Sequence, residues 1–236
     1  VEFLDAGHIL GSAIVVMDAD SGEKQRRIVF TGDHGRKDLP ILRDPDPLPE
    51  CDALITESTY GDRIHELRSD MMADLGRIIT EEQHDGGRVL IPAFSVGRTQ
   101  SVVLFLGQLM RDGLLERLPI YVDSPMSRNA TAIMSKHANL FDEETAALMK
   151  AGHSPLFYEG VTYTENVEES KALNEVKTGV IISASGMVES GRILHHLKQT
   201  VSRKDDGILM VGYQAHGTVG RRLLDEQPKV RIFGEG

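Results

Sequence analysis

Two residues in the first part of the chain could bind a metal ion. His8 lies among small residues in DAGHILGSA, and Asp33 lies in TGDHGR, directly after the strand-like run RRIVF. A glycine-flanked turn needs no acid, so an acid at this position suggests a ligand. Histidine nitrogen and carboxylate oxygen together suit zinc, and a carboxylate can bridge two metal ions. A catalytic zinc takes three protein ligands, so these two residues predict only part of a site.

Polar residues also follow most of the predicted strands. These residues are Asp33 after IVFTG, Glu57 after LIT, Ser95 after LIPAF, Asp123 after IYV, Ser183 after VII, and Tyr213 and Gln214 after LMVG. Open α/β sheets bind their ligands at the carboxyl ends of strands. The pattern therefore predicts one rim lined by ligand-binding side chains.

The segment FSVGRTQ has features that suit a phosphate. Ser95 is the predicted N-cap of the following helix, and Arg98 falls in its first turn. A cation at a helix N-terminus opposes the helix dipole, and a bound phosphate would explain its presence. The cap serine can equally be structural.

The segment SASGMVESGRILHHL joins a strand end to a helix. Ser183, Ser185 and Gly186 end the strand, and Ser190 or Gly191 is predicted to open the helix. On a helical wheel the apolar side comprises Ile193, Leu194, Leu197 and Val201, and the opposite side comprises Arg192, His195, His196 and Gln199. The polar side is either a solvent face or the lining of a groove.

The loop GYQAHGTVG contains Tyr213 and Gln214 among three glycines. These glycines either allow close backbone approach to a ligand or simply form turns. The loop lacks the GKS/T ending of a phosphate-binding P-loop.

The elements that must position these residues divide the chain into two parts. From residue 88 onward, β-branched runs alternate with amphipathic ones, which predicts βαβ units around a mostly parallel sheet. Before residue 61, three strands follow one another without a helix, which predicts a boundary there. The predicted strands are SAIVVMDA, RRIVFTG, DALITES, RVLIPAF, PIYVDSP, GVIISAS, GILMVGY and KVRIF, and the predicted helices are 66–84, 97–111, 128–137, 142–150, 168–175, 190–201 and 218–225.

Composition limits the classes of protein that fit. With 236 residues, 40% of them hydrophobic, the chain can bury a core, and it has no apolar run long enough to span a membrane. A net charge of −10 argues against broad nonspecific binding to nucleic acid, although a local basic groove remains open. The single cysteine, Cys51, excludes an internal disulfide and is predicted to be a buried thiol.

Seven motifs, in this order, resemble the β-CASP branch of the metallo-β-lactamase fold. They are DAGHILGSA, TGDHGR, ITESTYGDR, IPAFSVGRTQ, VDSPM, SASGMVESGRILHHL and VGYQAHGTVG, and the resemblance runs through nearly the whole chain. It implies an α/β fold. Residues 1–61 would end the first metallo-β-lactamase segment of an αββα sandwich. Residues 62–236 would form a β-CASP domain with a mainly parallel sheet flanked by helices.

The resemblance also implies an activity, since members of this branch are zinc-dependent ribonucleases of RNA processing or decay. His8 matches a zinc ligand, Asp33 matches the carboxylate that bridges two zinc ions, and Glu57 matches an acid that supports the active-site histidines. His34 matches a variable position and receives no metal role. Single-stranded RNA is the implied partner, with a cytoplasmic location, no membrane, and a homodimer as an open alternative. The residues predicted to bind RNA or phosphate are Ser95, Arg98, Ser183, Ser185, Gly186, Arg192, Tyr213 and Gln214.

The chain lacks three motifs of the family pattern. The HxHxDH signature and the two later histidine motifs are absent, and His195, His196 and His216 do not stand at those positions. We therefore expect a central segment of a longer nuclease that is inactive by itself. One alternative is a non-catalytic RNA-binding or scaffolding module, against which the retained His8, Asp33 and Glu57 argue. Another is a nucleotide-binding domain, against which the lack of a GxGxxG or GKS/T loop argues.

Overall fold

A computed structural model describes residues 1–22, 24–62, 64 and 68–233 of the chain. The chain divides into two compact units. The first unit comprises Val1–Met71 and His137–Gly152, and the second comprises Met72–Lys136 and His153–Gly236.

The described residues form nine strands and seven α-helices. The strands are β1 Glu2–Asp5, β2 Ala13–Asp20, β3 Gln25–Phe30, β4 Ala53–Ile55, β5 Arg88–Pro92, β6 Ile120–Asp123, β7 Val161–Tyr163, β8 Gly179–Ser183 and β9 Gly207–Ile208. The helices are α1 Arg68–His84, α2 Arg98–Arg111, α3 Pro125–Lys136, α4 Glu143–Lys150, α5 Val167–Ala172, α6 Ile193–Thr200 and α7 Val219–Leu224.

The first unit contains a four-stranded sheet in the order β1-β2-β3-β4. The first two pairings are antiparallel, and β4 joins β3 in parallel. Alternate residues of β2 face inward, so that Ile14 and Val16 pack with Ala6 and Val29 in a small core.

The second unit contains a five-stranded sheet in the order β7-β6-β8-β5-β9, and every pairing in it is parallel. All residues of β5 and β8 are buried, as expected for strands that helices cover on both faces. The core joins Leu90 and Ile181 of the sheet to Ile193 and Leu197 of α6. All polar residues that follow these strands lie at one end of this sheet, because its strands run in the same direction.

The structure confirms the predicted α/β class and the parallel sheet flanked by helices, with differences in detail. The predicted strand KVRIF is wrong, because only an isolated bridge residue, Ile232, occurs there, and the short strand β7 was not predicted. Cys51 is exposed, so its predicted burial is wrong: it precedes β4, the edge strand of the first sheet.

The prediction that these polar residues line one rim is also wrong, because they follow strands of two different sheets. Asp33 and Glu57 follow strands of the first sheet, whereas Ser95, Asp123 and Ser183 follow strands of the second. The predicted domain boundary near residue 61 stays a prediction, since part of the segment around it (residues 63 and 65–67) lies outside the described residues. Among the described residues, no helix combines the length and the apolar character needed to cross a bilayer.

Candidate metal ligands and nucleic-acid interface

In the first unit, the loop that carries Asp33 lies against the loop that carries His8. The backbone N–H of Gly35 donates to the carbonyl of Ala6 at 2.8 Å. A Cβ atom at Gly35 would overlap the carbonyl of Gly7, so only glycine allows the two loops to approach this closely. The turn TGDHGR therefore needs its second glycine for packing.

Glu57, which follows β4, forms a hydrogen bond with the same loop. Its Oε1 accepts a hydrogen bond from the backbone N–H of His34 at 2.7 Å, and its Oε2 accepts one from the Thr59 hydroxyl at 2.6 Å. The Thr59 hydrogen bond, helped by the His34 amide and the charge of His8, lowers the pKa of the Glu57 carboxyl despite its partial burial. Glu57 thus binds the main chain of His34, the residue that follows Asp33.

His8 and Asp33 are both exposed, so both side chains can reach a ligand in solvent. Within the described ranges, however, no group of three or more His, Cys, Asp or Glu side chains could hold a metal ion. The residues present therefore do not fit a complete zinc site, which needs three protein ligands. Their assignment as zinc ligands stays a prediction.

In the second unit, hydrogen bonds join the carboxyl ends of β6 and β8 to each other and to the loop after β5, and join the loops after β5 and β6. The hydroxyls of Ser95 and Ser124 lie 3.1 Å apart. The N–H of Ala93 donates to the carbonyl of Ser183 at 3.0 Å, and the Ser183 hydroxyl donates to the carbonyl of Asp123 at 3.0 Å. These bonds hold the strand ends and the two loops together, and we call the face formed by the loops after β5, β6 and β8 the sheet-end surface.

Beneath this surface, the fully buried carboxylate of Asp123 accepts four hydrogen bonds. Its Oδ1 accepts from the hydroxyl of Thr164 at 2.5 Å and from the guanidinium of Arg192 at 2.7 Å. Its Oδ2 accepts from the hydroxyl of Ser170 and from Nε2 of His196, each at 2.6 Å. We call these five residues the Asp123 cluster.

The Asp123 carboxyl is ionised in this environment. Burial by itself would raise its pKa, but the four hydrogen bonds outweigh burial and hold the pKa far below its usual range. The sequence marked Asp123 as a strand-end residue without assigning it a function. Its partners are distant along the chain, so no local pattern could have identified them.

The Asp123 cluster changes the interpretation of the residues around α6. His196 is buried, so its predicted place on an exposed or groove-lining side is wrong. Val201, predicted on the apolar side, is exposed and lies beyond the last helical residue. The helix begins at Ile193, after Arg192, whose side chain is 22% exposed and is paired with Asp123.

The start of α2 differs from its prediction in the identity of the cap. Gly97 occupies the N-cap without a side-chain hydrogen bond, so the predicted Ser95 cap is wrong, since the Ser95 hydroxyl is engaged with Ser124 instead. Arg98 is the first residue of the helix and is exposed. The predicted cation at this helix N-terminus is therefore present.

The segment around Ser185 and the loop around Gln214 are held together. The Ser185 hydroxyl accepts from the N–H groups of Glu189 and Ser190, at 3.1 Å and 3.3 Å. The Gln214 amide donates to the carbonyl of Gly186 at 2.9 Å and to that of Gly212 at 3.1 Å.

The predicted RNA contacts at Ser183, Ser185, Gly186, Tyr213 and Gln214 stay predictions. The side chains of Ser183 and Gln214 are buried, and their contacts are within the protein. Tyr213 is half-buried.

Comparison with known proteins identifies the family. The Beta-Casp domain family matches residues 99–223. The chain is 37% identical to Ribonuclease TTHA0252 of Thermus thermophilus, over 99% of this chain and 53% of that protein. It is 30% identical to Transcription termination factor FttA of Methanothermobacter thermautotrophicus, over 97% of this chain and 38% of the relative. It is also 30% identical to Endoribonuclease ysh1 of Schizosaccharomyces pombe, over 94% of this chain and 28% of the relative. The chain thus spans about half the length of these relatives, or less, and it belongs to the β-CASP family of the metallo-β-lactamase fold.

Proposed function

We propose that this chain is part of a ribonuclease and that its sheet-end surface binds single-stranded RNA. One observation carries the proposal: hydrogen bonds hold the strand ends and the loops after β5 and β6 together at the sheet-end surface, where Arg98 is exposed at the first residue of α2. Relatives named as a ribonuclease and an endoribonuclease support RNA as the substrate.

The chemistry of this surface suits a phosphate backbone. The positive end of a helix dipole attracts anions, and it acts at the start of α2 although the N–H groups of Arg98 and Thr99 already donate to the carbonyls of Val96 and Phe94. Arg98 adds a positive charge there and reduces the cost of bringing a phosphate to a chain whose net charge is −10. Binding is therefore local and sensitive to salt.

For the first unit, we propose that His8 and Asp33 contribute to a metal centre whose other ligands come from outside these 236 residues. Glu57 would then fix the loop that carries Asp33 through its hydrogen bond with the N–H of His34. Because the described residues offer no three-ligand group, we assign RNA hydrolysis to the longer protein and RNA binding to this chain.

A second candidate function is a non-catalytic RNA-binding module, which the same lack of a three-ligand group favours. The two candidates differ in the sequence that surrounds the chain in its gene. An HxHxDH segment upstream supports the nuclease, and an upstream segment without those histidines supports the binding module.

The experiment is a fluorescence-anisotropy titration of a labelled single-stranded RNA with the chain and two variants. Arg98→Ala removes one exposed cation of the sheet-end surface. Arg117→Ala is the control, because Arg117 is also exposed but precedes β6 and so lies at the opposite end of the sheet. We expect Arg98→Ala to weaken binding and to reduce the salt slope by about 0.7, the value for one phosphate contact on a single strand.

Arg117→Ala should leave the RNA affinity and the salt slope unchanged. Absence of RNA binding by the unmodified chain, or equal losses in the two variants, would contradict the proposed surface.

A further inference from the structure

Phe94 is an exposed aromatic side chain at the sheet-end surface. It follows β5 by two residues, and 42% of it is accessible to solvent. Its backbone is fixed, because its carbonyl accepts from the N–H of Thr99 at 3.2 Å and from the Thr99 hydroxyl at 2.8 Å. The ring thus projects from a rigid part of the surface.

One edge of the Phe94 ring is fixed by Gly186. A Cβ atom built on Gly186 would lie 2.9 Å from Cδ2 of the ring, closer than real contacts allow, and a tight 3.1 Å from Cε2. Only a glycine leaves room for the ring at this place. The carbonyl of that glycine is itself held by Gln214.

The other exposed phenylalanines of the second unit each contact a neighbouring ring. Phe157 lies 5.0 Å from Tyr163, and Phe233 lies 4.7 Å from His195, measured between ring centroids. Among the residues that the structure describes, Phe94 belongs to no such pair. Its ring can therefore accept a planar partner from solution.

We infer that Phe94 stacks against a base of the bound single-stranded RNA, an inference that rests on the proposed RNA-binding function. Every nucleobase presents a π-face, and proteins bind single strands by combining aromatic stacking with contacts to the phosphates. Phe94 and Arg98 belong to the same loop and helix start, so a base and a phosphate of one strand can be held together. Unlike Arg98, Phe94 recognises the base rather than the charge.

The test compares Phe94→Leu, Phe94→Tyr and Phe157→Leu in titrations with two labelled strands of equal length. One strand is ordinary single-stranded RNA, and the other is an abasic strand with the same phosphates. Phe157 is the matched control, because it has the same 42% exposure but precedes β7 at the opposite end of the sheet. Circular dichroism verifies that each variant is folded.

For ordinary RNA we expect Phe94→Leu to weaken binding by at least about fivefold, the lower bound for the loss of one stacked base. Phe94→Tyr should bind nearly as well as the unmodified chain, and Phe157→Leu should be unchanged. The abasic strand should bind the unmodified chain and Phe94→Leu equally.

Two outcomes would overturn the inference, and they are distinguishable from failure of the proposed function. Normal RNA binding by Phe94→Leu refutes stacking and leaves the proposed function intact. An equal loss for ordinary and abasic strands also refutes stacking, since it indicates a general distortion of the surface. Absence of RNA binding by the unmodified chain refutes the proposed function, and the stacking inference fails with it.

Discussion

Replacement of Asp123 by asparagine tests whether the Asp123 cluster stabilises the second unit. The substitution retains the size of the side chain but removes its charge. It also places an amide donor where one hydroxyl and either Arg192 or His196 now donate; the hydroxyl can turn to accept, but the other donor loses its acceptor. Arg192 keeps only 22% of its side chain in contact with solvent, so water cannot fully replace its lost partner.

The magnitude follows from the burial of the pair. Breaking one partner of a buried ion pair costs about 3–5 kcal/mol. The hydroxyls of Thr164 and Ser170 can rotate to accept from the new amide, which favours the lower end of that range, about 3 kcal/mol. Since a domain is stable by only about 5–15 kcal/mol, this loss is large.

The assay is urea denaturation followed by far-UV circular dichroism, with the m-value compared between variants. Asp112→Asn is the control, because it makes the same chemical change at an exposed residue just after α2. We expect a lower urea midpoint for Asp123→Asn and little change for Asp112→Asn. A loss below about 1 kcal/mol at an unchanged m-value would refute the idea that this carboxylate holds the cluster together.

Three further predictions concern pH, packing and metal. The folded pKa of Asp123 is depressed below its ordinary value of 3.8, so the stability that this carboxylate contributes is present above pH 3.8 and is lost as the pH falls below 3.8. On acidification, the free energy of unfolding should therefore decline less steeply in Asp123→Asn than in the unmodified chain. Gly186→Ala should lower stability by about 1–3 kcal/mol, since the new methyl group meets the Phe94 ring, whereas Gly212→Ala, with open space at that position, should not; equal urea midpoints would contradict this packing. Metal analysis of the purified chain should find less than one zinc per molecule, and two tightly bound zinc ions would contradict the incomplete site.

The secondary structure was largely predictable because it depends on local patterns. The runs RVLIP and GVIIS are apolar throughout, which is typical of strands buried on both faces. The start of α2 was predicted within one residue. Its cap was not, because Ser95 has a partner, Ser124, that belongs to another loop.

The Asp123 cluster was not predictable for the same physical reason. The donors to Asp123 lie between 41 and 73 residues further along the chain and come from three places in the fold, which are the loop after β7, helix α5, and helix α6 with its N-cap. Histidine and arginine near a helix start resemble a polar solvent face when only the helical period is considered. Their burial depends on a buried carboxylate that the helix pattern does not contain.

The place at which RNA contacts the second unit can be measured directly by photo-crosslinking. A single-stranded RNA that contains 4-thiouridine is irradiated with the chain, and the crosslinked peptides are identified by mass spectrometry. We predict crosslinks in residues 93–98 and 185–192, at the carboxyl end of the parallel sheet. Crosslinks confined to residues 112–119 and 153–160, which precede β6 and β7 at the opposite end, would contradict the proposed RNA-binding surface.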